Sequence, residues 1–374
     1  MSVAIDECLD GLSSTVQMNF RRPDSFPSHL ISSELSDENL RSFAETISIT
    51  PSDLENLYKP VLRDILTTIH TQSGCAIDRY CVSGSLGIQP NNCSDDFGFD
   101  ITVFLDCSAS HGTVEESEPD PSKKKLHPEC TIQSFEKIYT CIRHFASPHQ
   151  PVECDHRGVH FQHETTGLFI HLAAFPSFGH RMHVQRKSIW DLVESLDRSS
   201  GGLNQNDLDR FSIGLCESTS SFMHMGDPVF HGLVRLARFW RSQVLNPSGA
   251  EMSTYAIALI MMRCIEDEKA RGMSATRTPP VFPEKKIFFD FLTWLTQIDT
   301  LSLTWQQFYE PDLVPERHLA TRPMIVDPVN PWRNIVRNMT QEQMEAVKLK
   351  ANESLKKTTI GELFSLTTTA TRGA

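Results

Sequence analysis

The chain has 374 residues, 39% of them hydrophobic and 22% charged, a balance typical of globular proteins and a length that suits two packed lobes. Its formal net charge of −12 argues against overall attraction to a polyanion, because nucleic-acid binding draws on Lys and Arg to neutralise phosphates. No apolar run approaches the roughly 18 residues of a membrane helix, and the start "MSVAIDECLDGLSS" lacks the basic and apolar regions of a secretory signal, so an intracellular, cytoplasmic protein without membrane contact is expected.

Residues 1–49 carry Ser, Asp and Pro with little periodicity, which predicts an extension that is loosely ordered or docked by a few apolar contacts. Next, Thr50 can cap a helix and Pro51 suits its first position. Leu54, Leu57, Val61, Ile65 and Ile69 then form one stripe, so a helix is expected, kinked near Pro60. A short strand around Tyr80 to Val82 leads into the polar loop "GSLGIQPNNCSDD". The strand Phe99 to Leu105 follows, with Asp100, Thr102 and Phe104 on one face. Segment 108–130 is acidic, then basic at Lys123, Lys124 and Lys125, and reads as a solvent loop. A helix is predicted near Ile132 to Phe145, then a hairpin in which "GVHFQH" and "LFIHLAAF" flank the turn "ETTG".

The second half is helical. "DPVFHGLVRLARFWRSQVL" opens with Asp227 and Pro228, and its stripe of Val229, Leu233, Leu236, Ala237, Trp240 and Val244 faces a core. That leaves Arg235, Arg238 and Arg241 on the opposite face, read as solvated or touching phosphate. "STYAIALIMMRCIEDE" is apolar on nearly every side at first and belongs inside the lobe. Further helices are expected over Lys286 to Ile298 and Gln341 to Lys356. The division expected is 1–49 extension, 50–190 mixed-sheet lobe, 191–360 helical lobe and 361–374 flexible tail, with no internal repeat. The ten cysteines lack framework spacing and read as free thiols.

Nucleotidyl transfer uses two divalent cations about 4 Å apart. Their usual holder is a strand with two carboxylates at alternate positions and a third carboxylate on a neighbouring strand. A Gly-Ser turn upstream offers backbone N–H groups and a hydroxyl to a triphosphate. Gly84 and Ser85, followed by Asp96 and Asp100, match that plan in outline.

Further stretches make the pattern more specific. In order, "VSGSLG…DDFGFDITVFL", "DRFSIGLCESTSSFMHMGDPVFHGLVRLARFWRSQVL", "STYAIALIMMRCIED" and "ATRPMIVDPVNPWRN" resemble segments of the 2'-5'-oligoadenylate synthase family across roughly residues 50–356. The last stretch resembles that family's C-terminal signature, with Arg322, Pro323, Asp327, Pro328 and Pro331 in place. The resemblance implies an α+β protein: a polymerase-beta-like nucleotidyltransferase lobe with a mixed sheet, plus an α-helical C-terminal lobe and an active site between them. It implies ATP as substrate, Mg²⁺ or Mn²⁺ as cofactor, and double-stranded RNA as the partner that switches on synthesis of 2'-5' oligoadenylates. Relatives of the same fold make cyclic dinucleotides.

Residue by residue, the chain departs from the family. Where the family strand reads Asp-x-Asp, the second Asp is Asp100 and the first position is Gly98, which has no ligating side chain. Asp96 lies four residues before Asp100 and joins it only through a bulge or tighter turn. The third carboxylate position falls on His171, whose nitrogen suits Mg²⁺ poorly. At the entry to the long helix, where the family carries basic residues toward the triphosphate, this chain has Gly226 and Val229, with His231 differently phased. Two readings follow. In the first, a degenerate enzyme has Asp96, Asp100 and His171 as its metal set, Asp96 and Asp100 as catalytic carboxylates, and Gly84 with Ser85 at the triphosphate. In the second, an inactive relative serves as a nucleic-acid-binding sensor or scaffold in innate immunity. The histidines of "HFASPHQPVECDHRGVHFQHE" (His144, His149, His156, His160 and His163, with Cys154) fit no standard four-ligand zinc spacing and read as a solvated face, with His160 and Gln162 on one side of a strand. Asp327 with Pro328 and Pro331 reads as a rigid turn that caps the C-terminal helix.

Overall fold

The computed structural model describes residues 26–48, 51–73, 76–83, 98–106, 153–155, 157–163, 169–179, 181–200, 203–224, 228–250, 252–273 and 282–366. In chain order these form α1 (Ser28–Ile31), α2 (Asp37–Thr46), α3 (Pro51–Thr68), β1 (Ile77–Ser83), β2 (Gly98–Leu105), β3 (Glu153–Cys154), β4 (Val159–Gln162) and β5 (Phe169–Pro176). Then follow α4 (Met182–Ser200), α5 (Gln205–Gly214), α6 (Cys216–His224), α7 (Pro228–Trp240), α8 (Thr254–Met273), α9 (Glu284–Thr296), β6 (Ser302–Leu303), α10 (Glu316–Leu319), β7 (Met324–Ile325), α11 (Gln341–Ser354) and α12 (Ile360–Leu363). The helix expected at 132–145, the turn at 164–167 and Lys123 to Lys125 lie outside the described residues. No described helix is long and apolar enough to cross a membrane.

Two compact units emerge. The described parts of 51–83, 98–106 and 153–221 make the first, and those of 26–48 and 222–366 make the second. The sheet unit therefore keeps α4, α5 and α6 as far as Ser221, beyond residue 190.

The sheet of the first unit runs β1-β2-β5-β4-β3. β2 and β5 are parallel, while β1–β2, β5–β4 and β4–β3 are antiparallel, giving the mixed sheet expected. Alternation sorts its faces. On one face Ile101, Val103, Ile170 and Leu172 are buried, which leaves Asp100 and His171, exact register partners, side by side on the other. α5 lies close on β5, since a Cβ on Gly214 would stand 2.4 Å from the Phe175 ring. Arg79 joins β1 to α6: its Nε and Nη2 donate to Glu217 at 2.8 and 3.0 Å, and its guanidinium covers the Phe104 ring at 4.1 Å. α3 continues past Pro60 and buries Val61 and Ile65, and Ile69, just past its end, is buried on the same stripe.

The second unit packs α7, α8, α9 and α11 around a buried aromatic cluster. Phe43 of α2 stacks on Phe364 with centroids 4.9 Å apart and meets Phe239 of α7 edge-on at 5.4 Å. Residues 26–48 take the docked form of the extension rather than the loose one: Phe26, Leu40, Phe43 and Ile47 are buried, and Arg41 binds Glu284 at 2.6 Å. The start of the tail differs from the flexible form expected, because Leu363 and Phe364 are buried in the same unit. Single aromatic anchors in polar surroundings produce no periodicity, which is why neither segment announces itself.

The same packing corrects the arginine face of α7. Arg235 donates to the Ala44 carbonyl at 2.7 Å, Arg241 to the Met252 carbonyl at 2.5 Å, and Arg238 is buried. α2 thus lies against Arg235, and both Arg235 and Arg241 are engaged by backbone carbonyls of their own unit rather than standing on a solvated face. Asp327 forms the turn expected, with the Asn330 N–H on its carbonyl at 3.3 Å, but does not cap the C-terminal helix. It is fully buried, accepting from Tyr255 Oη at 3.1 Å and the Val329 N–H at 3.0 Å, whereas α11 is capped by Thr340 in a reciprocal capping box with Gln343.

Candidate functional site

The chemistry-bearing residues of the first unit gather where β2, β5, β4 and the β3–β4 turn run side by side. Asp100 and His171 stand opposite each other in the parallel ladder, and His171 stands opposite His160 in the antiparallel one. Cross-strand partners on one face are neighbours. His171 Nδ1–H accordingly donates to Asp100 Oδ1 at 3.2 Å, and the His171 and His160 rings stack with centroids 4.3 Å apart and planes 8° from parallel. His160 Nε2 in turn lies 3.3 Å from Asp155 Oδ1.

Asp155 is held by its own turn. Its Oδ1 accepts the backbone N–H groups of Arg157 and Gly158 at 2.8 and 3.1 Å, and its Oδ2 accepts Arg157 Nε at 2.9 Å. Burial raises its pKa, but the Arg157 N–H, the Arg157 guanidinium and His160 outweigh that and hold the carboxyl well below the usual carboxylate range. Burial, followed by the neighbouring His171, lowers the pKa of His160 and keeps it neutral more readily than a free imidazole. Asp155, His160 and His171 can bring one ligand atom each within 4.8 Å of one another, and among the described residues no other trio of His, Cys, Asp or Glu does so.

Of the residues singled out in the sequence, Asp100 and His171 are brought together and Gly98 opens β2. Gly84, Ser85, Asp96, Gly226 and Asp227 lie outside the described residues. Val229 is the second residue of α7, and His231 is buried on it. The role of Asp155 was missed: its turn follows a strand of two residues, too short to carry a pattern.

Comparison with known proteins adds to this geometry. Residues 193–368 match the family model of 2'-5'-oligoadenylate synthetase 1, domain 2, C-terminus. The fold as a whole is similar to solved structures. E. coli MS115-1 CdnC with ATP matches at TM-score 0.54 and 15% identity, covering 86% of this chain and 90% of that one. The same CdnC in its complex with HORMA-deltaN matches at TM-score 0.51, also 15% identical over the same shares. The mtPAP structure in complex with UTP matches at TM-score 0.54 and 14% identity, covering 92% of this chain and 74% of that one. The segment 193–368 is thus similar to that family's C-terminal domain, and the α+β fold as a whole is shared with these solved structures. No curated protein matches it in sequence.

An oligoadenylate-synthase-like nucleotidyltransferase calls for Mg²⁺ held by carboxylate oxygens. The described residues do not fit that centre: Asp100 is the one carboxylate on β2 there, Gly98 offers no ligand, and the partner position holds an imidazole already bonded to Asp100. Mg²⁺ demands near-octahedral oxygen coordination, which two nitrogens and one shared carboxylate do not supply.

Proposed function

We propose that this protein works by binding, as a nucleic-acid-binding sensor or scaffold of its family, and that RNA-stimulated polymerisation of ATP into 2'-5' oligoadenylates has been lost with the metal-binding carboxylates. One observation carries the reading: His171 Nδ1 sits 3.2 Å from Asp100 Oδ1, at the register position where a third carboxylate belongs. Replacing a carboxylate by a neutral ring removes a negative charge and ties up the one that remains. The helical segment that matches the family model supports the other half of the proposal, retention of the family's frame. Contact with double-stranded RNA has to come from side chains other than Arg235, Arg238 and Arg241, which are committed to α7 packing. The reading places the protein in the cytoplasm, with nucleotides or double-stranded RNA as partners.

A Mg²⁺-dependent oligoadenylate synthase is the second reading, favoured by the exposure of Asp100, whose side chain is 45% accessible. Incubation of the full chain with ATP or mixed nucleotides, Mg²⁺ or Mn²⁺ and double-stranded RNA separates the two. Binding of labelled duplex without formation of nucleotide oligomers is expected. Oligomer formation that requires the duplex and disappears in Asp100→Ala sinks the binding-only reading, and failure to bind duplex sinks its sensor half.

A further inference from the structure

The corner that does not fit magnesium has the makings of a different metal site. We propose that Asp155 Oδ1, His160 Nε2 and His171 Nε2 bind a single borderline transition-metal ion, Zn²⁺, as a structural clamp between the β3–β4 turn and β5. This deepens the binding-only reading, because it assigns a new occupant to the position from which the magnesium centre has been lost.

Four observations support it. The donor set, two imidazole nitrogens and one carboxylate oxygen, is one that zinc accepts and magnesium avoids. Among the described residues Nε2 of His171 is buried without a hydrogen-bond partner, and His160 Nε2 meets only Asp155 Oδ1, at 3.3 Å. Buried polar atoms are ordinarily satisfied, so the orphaned lone pair of His171, on a ring stacked against that of His160, calls for an explanation. The 3.3 Å from His160 Nε2 to Asp155 Oδ1 already equals the separation of two ligands on a tetrahedral zinc, ~3.3 Å for bonds of about 2.0 Å. Finally, a Cβ on Gly158 would stand 2.7 Å from His171 Nε2 and 2.4 Å from the Leu172 carbonyl, so the missing side chain leaves a cradle beside that nitrogen.

The surrounding bonds prepare the ligands. His171 Nδ1–H is bonded to Asp100, which fixes the tautomer with its lone pair on Nε2; this carboxylate–histidine arrangement commonly orients metal-bound histidines. The Asp155 carboxylate is positioned by two backbone N–H groups before any ion arrives. Arg157 is the competitor, since its guanidinium already neutralises Oδ2, and the stacked rings must splay for both Nε2 atoms to converge. Three protein ligands leave the fourth tetrahedral position to water.

The test uses the full chain, stripped with chelator and titrated with Zn²⁺ by calorimetry and with Co²⁺ as a coloured stand-in. One ion per chain with the visible bands of tetrahedral Co²⁺ is expected. His160→Gln and His171→Gln should each weaken binding more than 100-fold, Asp155→Asn should abolish the tetrahedral spectrum, and Asp100→Asn, acting through His171, should cost about 10- to 100-fold. Absence of one-to-one binding, or binding unchanged in both histidine variants, overturns the proposal. Should His171→Gln fail to fold, His160→Gln, on the outer face of β4, carries the test alone. Zinc binding together with duplex-dependent oligomer synthesis overturns the binding-only reading and spares the metal site. Neither zinc binding nor synthesis does the reverse.

Discussion

The two units of this chain have kept different things. The helical unit carries most of the stretch that matches the family model and devotes polar residues to the fold: Asp327 accepts buried hydrogen bonds, Asn334 accepts the Ile325 N–H and donates to the Pro323 carbonyl, and Arg235 of α7 donates to the Ala44 carbonyl. The sheet unit carries its polar side chains at one corner instead, where Asp100, His171, His160 and Asp155 meet across β2, β5, β4 and the β3–β4 turn. A frame and the chemistry mounted on it are separable: packing fixes the first, and a few exposed side chains decide the second.

The sharpest way to break that contrast is to attack the frame. Phe43→Ala removes a ring that touches Phe26, Phe239 and Phe364 and should cost the helical unit about 3–5 kcal/mol in urea unfolding. Hydrogen exchange in β4 and β5 should be unaltered by it under native conditions; equal loss of protection there would show that the two units do not behave separately. In the sheet unit, Glu217→Ala strips Arg79 of its bidentate partner while Asp78 and Ser177 remain within reach. A loss of about 1–2 kcal/mol is expected, read as faster exchange of β1 amides. Thr340→Ala removes the capping-box hydroxyl of α11 and should cost about 1 kcal/mol, confined to the helical unit.

The smallest effect is the pH response of the chemical corner. Asp155 and His160 both have pKa values lowered by folding. A lowered pKa means that the unfolded chain binds the proton more readily, so the stabilisation is present above the unfolded value and is lost as pH falls. His160 acts first, below an unfolded value of about 6.5, and Asp155 only at strongly acid pH, below about 3.9. Protection of β4 and β5 amides should therefore fall between pH 7 and pH 5, and His160→Gln should flatten the slope. An unchanged slope would remove His160 from the account.

Much of the frame was legible because periodicity is local. The strand expected at Phe99 to Leu105 is observed as Gly98–Leu105, and the helices expected over Lys286 to Ile298 and Gln341 to Lys356 are observed as Glu284–Thr296 and Gln341–Ser354. What could not be read depends on distant partners. Nothing near Arg235 says that residues 37–46 will cover it, and nothing near Asp155 says that His171 will arrive two strands away. Asp100 and His171 were both legible as candidates, yet their hydrogen bond follows from a parallel register joining residues 71 apart in sequence.

The central claim, that transfer chemistry is gone from a retained frame, is tested most directly by pyrophosphate release from ATP with Mg²⁺ and double-stranded RNA, measured side by side for the wild type and Asp100→Ala. The account predicts that the two are indistinguishable from each other and from a protein-free blank. Release by the wild type that vanishes in Asp100→Ala would contradict it.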